Sequence, residues 1–387
     1  MASINLQGDT SGAITISAPS VAGSNTLTLP ATTQTLATQN ALGVRNLIIN
    51  GDMRIAQRGT SAVTVSGSFP VDRFYVNNSS DAAFSAEQST DVPSGQGFTS
   101  SLKVTYTTGD SSIGATQYSN IQHNIEGNNV AHLGFGSSGA KNVTLSFWVK
   151  ASVTGQYSYA IYNSAENRIN PQPFTINSAN TWEYKTITYD GDTTGTWLTD
   201  NGKGLTATLY TALGSNFLSS AGWNASSKYG VTGQANAMAT TNNTFFITGV
   251  QLEVGDTATP FEHRPWDDEL IRCMRYYEKC INYSTVEPAG GYTGVEWTDI
   301  PRDKPANYAI KDVKYKVRKR AAATVNFWSL NQTVNQFGNV YSGVDIGNAG
   351  AIWGGEQGFT WRNETGGTVS AATHNGLAVL WAASSEL

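Results

Sequence analysis

Val143-Thr-Leu-Ser-Phe-Trp-Val149 sets Val143, Leu145, Phe147 and Val149 at alternate positions, with Thr144 and Ser146 between them. Successive side chains of a strand point to opposite faces, so this spacing predicts a strand with one face in a core. The same short alternating texture, punctuated by Gly, Asn and Ser, runs from Asn46 to about Glu262. Leu102–Tyr106, Tyr157–Tyr162, Trp182–Tyr189, Leu205–Tyr210 and Phe245–Glu253 all suit antiparallel strands. Several such strands over about 200 residues, with no repeat of fixed period, predict a single β-sandwich or jelly roll rather than a β-helix or propeller.

Composition agrees. Only 14% of the 387 residues are charged, against roughly 25% in an ordinary soluble domain. Apolar residues make up 39%, including 14 Phe, 17 Tyr and 10 Trp, which excludes disorder throughout. Length gives a prior of two or three domains. The two cysteines, Cys273 and Cys280, are too few for a disulfide framework or a zinc cage. Seven positions apart on one helix they would sit roughly 10 Å apart, too far to bridge. The polar start MASINLQGDTSG does not read as a signal peptide, and no apolar run approaches the ~20 residues needed to cross a bilayer. A soluble protein without membrane insertion is expected.

Outward from the sandwich, the first 68 residues contain no aromatic, and Asp9 is the only charge before Arg45. Such a segment cannot build its own core. Alternation in Ala13–Ser17 and Asn25–Leu29 predicts short strands, and because a lone hairpin is marginal in water they need a partner: copies of the same chain or a larger assembly. After the sandwich, Pro265–Ile281 reads as one helix, with Trp266, Leu270, Cys273 or Met274, Tyr277 and Ile281 in a stripe. Asp267, Asp268 and Glu269 sit at its positive end and Lys279 at its negative end. The stripe must pack on one of the flanking β regions or on symmetry mates. Beyond Asn282, Val313–Arg318, Ala323–Trp328 and Leu377–Trp381 predict a smaller β domain. The expected fold is all-β: N-terminal attachment strands (1–45), a central jelly roll (46–264), a connecting helix (265–284) and a C-terminal β domain (285–387).

Signature motifs fail in context. Gly134-Phe-Gly-Ser-Ser-Gly139 matches a dinucleotide loop by letter, but a strand follows it where a helix is required, so it reads as a turn. No G-x-S-x-G elbow, H-E-x-x-H helix or P-loop occurs, and His123, His132, His263 and His374 lack ligand spacing. The chain is read as non-catalytic and without a cofactor. A glycosidase needs only two carboxylates about 5 to 10 Å apart, which sequence spacing does not reveal, so a glycan-degrading enzyme remains as a third reading. Between Arg302 and Arg320 eight Lys and Arg stand against Asp303 and Asp312, a local net charge of +6. The alternation of Lys314, Lys316 and Arg318 with Val313, Tyr315 and Val317 describes the solvated face of a strand rather than a nucleic-acid surface, with contact to an anionic surface glycan as a third reading.

Three stretches together resemble bacteriophage tail-fibre and virion-appendage proteins. They are Ser11–Thr38; Asn46–Arg58 with Val71–Phe74, Ile247–Phe261 and RPWDDELIRCMRYYEKC; and Tyr315–Val325 with Leu380–Leu387. Asn46–Asp52, Thr144–Ser152, Thr181-Trp182 and Gly249–Gly255 resemble the skeleton of a carbohydrate-binding jelly-roll module. The resemblance implies a homotrimeric tail fibre or receptor-binding protein on the virion, made in the host cytoplasm. It would dock on tail or baseplate proteins through residues 1–45 and contact host surface glycan; the runner-up is a capsid-decorating or adaptor fibre. In such modules an Asn-Gly-Asp/Glu corner and an acidic pair often hold Ca²⁺. Here Asn50, Gly51 and Asp52 match the corner, while Thr248 and Gly249 replace the pair.

Sugars present C–H faces to aromatic rings and hydroxyls to Asn, Asp and Gln, so candidate contacts combine both in loops. Trp353, Glu356, Gln357, Phe359 and Trp361 do so within nine residues, and Trp197 and Trp223 do so in the jelly roll. Leu270, Met274 and Tyr277 are the candidate oligomer interface, since symmetric packing would bury the helix stripe.

Overall fold

Val143–Ala151 is a strand whose Val143, Leu145, Phe147 and Val149 are fully buried, as their spacing predicts. Its neighbour Thr244–Val254 points Phe245 and Ile247 inward, and then Val250 and Leu252. This change of phase is a β-bulge between Thr248 and Gln251. Gly249 carries it at φ +63°, and a Cβ there would lie 2.6 Å from Phe98 Cζ, so only glycine fits. The computed structural model describes residues 3–7, 12–17, 45–288, 294–300, 310–340, 344–363 and 375–387.

The chain divides into two compact units, residues 1–43 and 44–387. In the first, Ser3–Gln7 and Ala13–Ser17 form an antiparallel hairpin pairing Ile4 with Ile16 and Leu6 with Ile14. The expected strand Asn25–Leu29 lies outside the described residues.

In the second unit two antiparallel sheets face each other across one core, the all-β jelly-roll sandwich expected. One sheet runs Ile169–Ile176, Gly155–Tyr162, Lys203–Leu213, Tyr118–Glu126, Phe74–Asn78, Ser68–Val71. The other runs Glu183–Tyr189, Val143–Ala151, Thr244–Val254, Ser101–Thr108, Ala83–Ser89. The strands expected around Leu102, Tyr157, Trp182, Leu205 and Phe245 are all present. The Gly134–Gly139 stretch is a turn, with Gly134 and Gly136 at φ +66° and +85°.

The terminal β region is built around Asn375–Ser384. One edge of this strand pairs with Tyr277–Lys279 and Glu296–Ile300, the other with Thr324–Trp328 and Gln336–Asn339. Asp345–Gly354, Gly358–Asn363 and Ile310–Lys314 extend the sheet. Val313–Arg318 is not one strand as expected. It ends at Lys314, because the next residues bend to bring the Lys316 N–H (2.9 Å) and Val317 N–H (3.3 Å) onto the buried Glu278 carboxylate.

The helix is shorter than its periodicity suggests, Trp266–Met274. Tyr277–Lys279 leaves it to pair with Ala382–Ser384, a ladder that replaces the helical hydrogen bonds. Met274 and Tyr277 are buried in the chain's own core and Leu270 is half-buried against Ile49, Ile55 and Tyr276, which corrects the assignment of these residues to a subunit interface. Trp266 and Ile271 are the large apolar residues this helix exposes, at 40% and 52%. Cys273 is buried and Cys280 half-buried, both as free thiols. Among the described residues no helix is long and apolar enough to cross a membrane.

Buried ion pairs tie the sandwich, helix and terminal sheet together. Arg275 donates to both oxygens of Glu126 (2.8 and 2.6 Å), which also accepts from the Tyr276 hydroxyl (3.0 Å). Lys319 and Glu278 are paired at 2.6 Å with side chains 0% and 1% exposed. Removing one member of such a pair strands the other charge in a poorly solvated site. Lys319→Met is therefore expected to cost about 3–5 kcal/mol in urea unfolding. Arg318→Met, which breaks the solvated Arg318–Glu356 pair, is expected to cost under about 1 kcal/mol.

Glu287 lies beside Arg58, yet burial outweighs that attraction and pushes its carboxyl up to about 7. A carboxyl whose folded pKa exceeds its unfolded value withdraws stability as it ionises, so stability should fall as pH rises from about 4.5 to about 7. Melting curves should show Glu287→Gln gaining on wild type between pH 5 and 8. Parallel curves for the two proteins would remove Glu287 as the cause.

Candidate functional site

Tyr118–Glu126 points Ile121, His123 and Ile125 into the core, which leaves Asn120, Gln122, Asn124 and Glu126 on the outer face of the six-stranded sheet. Register sets Tyr75 beside Gln122 and Asn77 beside Asn120 on one flank. On the other flank Thr206, Thr208 and Tyr210 meet Asn124, Gln122 and Asn120, and Tyr162 lies next to Thr206. These groups form one network. The Tyr162 hydroxyl donates to Gln122 Oε1 (3.2 Å) and lies 3.1 Å from Thr208 Oγ1. Asn124 Oδ1 accepts from Gln122 Nε2 (2.9 Å) and from Thr206 Oγ1 (3.0 Å). Burial pushes the Tyr75 phenol pKa up, against hydrogen bonds with Asn124, Asn77 and Gln122.

Asn120 and Gln122 are 4% and 6% exposed and form the floor, while Tyr75 and Asn77 are half-buried at its side. Tyr118, Phe217, Leu218 and Tyr229 pack over Ala160, Tyr162 and Tyr210 on one margin. On the opposite margin Asn124 Nδ2 donates to the Leu387 carbonyl (2.8 Å). Asn120 Oδ1 is buried and accepts no hydrogen bond from the described residues. Amide and hydroxyl groups beside tyrosine rings provide paired donors and acceptors along an apolar edge, the chemistry that suits a polyhydroxylated ligand.

The residues singled out from sequence fall elsewhere. Trp353 is 69% exposed, whereas Phe359 and Trp361 are 3% and 0% exposed in the terminal core, Trp361 packing on Phe337 at 4.9 Å. Gly358–Asn363 is a strand, so its odd positions turn inward together; Phe359 and Trp361 are core residues and not ligand contacts. Glu356 is engaged by Arg318 (2.7 Å), and Gln357 is exposed while its carbonyl accepts from Tyr315 N–H (3.0 Å).

Trp197 and Trp223, distant in sequence, do meet: their rings are 5.7 Å apart, edge to face, and both pack on Phe135. Their indole N–H groups are spent on Asp192 Oδ2 (3.3 Å) and the Asp190 carbonyl (2.9 Å), and Arg168 holds Asp192 through two bonds of 2.7 Å. The cavity beside Phe135 and Trp197 measures about 20 Å³, room for one water and not for a sugar ring. The two half-buried tryptophans buttress a corner of the sandwich.

The Asn50–Asp52 corner does not fit Ca²⁺. Asn50 Oδ1 accepts from Ile55 N–H (2.9 Å), its Nδ2 donates to the Ile55 and Asp72 carbonyls (both 2.8 Å), and Asp52 pairs with Arg54 (2.9 Å). Burial, then the nearby Glu269, pushes the Asp52 carboxyl up. Beside this corner Arg264 pairs with Glu262 at 3.0 Å and with Glu269 at 3.2 Å, so both carboxylates are already engaged. Among the described residues no cluster of His, Cys, Asp and Glu could hold a metal ion. His123 is a buried packing residue beside Phe74 and Ile49, His132 and His263 are exposed, and His374 lies outside the described residues.

The sheet-face network was missed in the sequence. Its signal was the alternation Asn120, Gln122, Asn124, Glu126 against Ile121 and Ile125, a strand polar on one face in a chain otherwise poor in charge.

No protein-family model matches this chain, and no curated protein matches it. Among solved structures it is similar to the enzymatically active domain of bacteriophage CBA120 tailspike protein 4, at 14% identity and a TM-score of 0.31, covering 54% of this chain and 21% of that one. It is similar to TmCBM61 in complex with beta-1,4-galactotriose, at 9% identity and a TM-score of 0.30, covering 55% of this chain and 99% of that one. It is also similar to the family 11 carbohydrate-binding module of Lic26A-Cel5E from Clostridium thermocellum, at 12% identity and a TM-score of 0.27, covering 54% and 99%. The chain thus spans about a fifth of the tailspike it matches.

Proposed function

We propose that this chain is a non-catalytic glycan-binding protein of a virion appendage, a homotrimer that docks on tail or baseplate proteins through its N-terminal segment and reads a host surface saccharide along the outer face of the six-stranded sheet. The observation that carries the reading is the row of Tyr75, Asn77, Asn120, Gln122 and Tyr162, in which hydrogen-bonding groups line tyrosine rings and the half-buried Tyr75 and Asn77 stand at the accessible side. Glu126 lies at the edge of this face. Burial pushes its carboxyl up, but bonds from Arg275, Asn128 and Tyr276 outweigh burial and hold it below the usual range, unsuited to a general acid. Closed symmetry would repeat the site and give avidity to weak sugar contacts.

Affinity electrophoresis in neutral polysaccharides checks the site. Tyr75→Ala and Gln122→Ala, with unchanged melting temperatures, should each weaken retardation at least about tenfold, near 1.4 kcal/mol. Full retention by both folded variants would sink the sheet-face assignment. For docking, removing residues 1–43 should leave a folded body, since 44–387 is a compact unit of its own, that no longer joins particles. Light scattering of the full chain should give the mass of three copies. Normal incorporation of the truncated chain, or a monomer at micromolar concentration, would overturn that part of the reading.

A further inference from the structure

We infer that the outer face of the terminal sheet is a second binding surface, chemically unlike the first, and that its ligand is an acidic saccharide. The inference rests on the reading of the chain as a glycan binder but on none of the same residues. Antiparallel register puts Trp353 beside Thr360, Thr360 beside Asp312, and Arg362 beside Ile310, with Lys314 beside Gly358. Directly opposed residues share a face, so Trp353, Thr360, Asp312, Arg362 and Lys314 lie on the side away from Phe359 and Trp361. Trp353 is 69% exposed, and Gly350 and Gly358 on the same face leave its surroundings clear of side chains. A large ring left this open gains little from its own fold and is available for stacking on a sugar face.

Charge selects the class. Among the described residues of the basic stretch, four cations are already engaged: Lys311 with Glu296, Arg318 with Glu356, Lys319 with Glu278, and Arg320 with the Ser385 and Glu386 carbonyls. Arg362 and Lys314 are exposed and, among the described residues, have no acidic partner. Between them Thr360 donates to Asp312, which leaves carboxylate lone pairs for ligand hydroxyls. Two free cations flanking a hydroxyl-seeking pair and a stacking ring fit a sugar that carries a carboxylate, sulfate or phosphate. A DNA strand fits less well, because it lacks the free ring hydroxyls that the Thr360–Asp312 pair would bind.

The test uses the full-length protein in affinity electrophoresis against polygalacturonate, dextran sulfate and neutral dextran, with oligo-dT as competitor. Wild type should be retarded by at least one acidic polymer more strongly than by dextran, and increasingly so at low salt. Trp353→Ala and the double variant Lys314→Ser/Arg362→Ser should each lose at least tenfold affinity with unchanged melting temperature, while Tyr75→Ala retains the acidic-polymer binding. That last variant separates the two surfaces: loss of neutral-sugar binding alone reports on the sheet face, and loss of acidic-polymer binding alone on the terminal face. Retardation that survives Trp353→Ala would reveal attraction by charge alone and overturn the inference. So would equal retardation by dextran, displacement by oligo-dT below the polymer's own half-saturation, or no retardation by either acidic polymer.

Discussion

Arg264 joins the beginning of the sandwich to its end. Its guanidinium reaches Glu262, Glu269 and the Ile48 carbonyl, and it also bonds the Asn46 carbonyl, so one side chain bridges residues more than 200 positions apart. Around it Glu262 accepts from Asn46 N–H (2.9 Å), and Asn46 Nδ2 donates to Val250 (3.0 Å), across the bulge in the central strand. Gly51 must be glycine here, because a Cβ would sit 2.1 Å from the Val250 carbonyl. A guanidinium whose two terminal nitrogens engage two carboxylates and two carbonyls holds backbone groups that would otherwise lose water without a partner.

From that corner the remaining tertiary order follows by direct contact. Glu269 lies in the short helix, which fixes where the helix starts relative to the sandwich. One turn later Arg275 and Tyr276 close on Glu126 at the end of a central strand, and Glu278 takes Lys319 and two backbone N–H groups from the terminal region. The C-terminal tail is drawn back onto the sheet by Arg58 and Arg73 at Glu386 and by Asn124 at Leu387. Each pair is weakly solvated and hydrogen-bonded on several sides, so it specifies one arrangement rather than adding bulk stability. The polar sheet face is a product of this arrangement, with one margin set by the tail and the other by the Phe217–Tyr229 segment.

Legibility followed the range of the interaction. Val143–Val149, Leu102–Tyr106 and Phe245–Glu253 were readable because burial on one face imposes a two-residue period wherever a strand borders a core. The helix was legible at its start, where three acids follow Pro265, and misread at its end. Tyr277 and Ile281 continue a helical spacing, but their burial comes from the terminal sheet, and pairing with Ala382–Ser384 across a hundred residues overrides local preference. The aromatic cluster from Trp353 to Trp361 failed for a related reason. Proximity in sequence does not place residues on one surface when a bulged hairpin sends Phe359 and Trp361 inward and Trp353 outward.

Composition and periodicity alone therefore determined that this is an all-β chain with a large aromatic core, a first segment without aromatics, and a smaller β region at the end. Those properties depend on neighbours two to four positions apart and survive any particular topology. Strand order, the bulge at Gly249, the pairing of Arg264 with Glu269, and the meeting of Tyr75 with Gln122 and of Trp353 with Asp312's strand pair were decided only by the tertiary structure. Each depends on register between distant segments, where a shift of one residue turns every side chain to the opposite face.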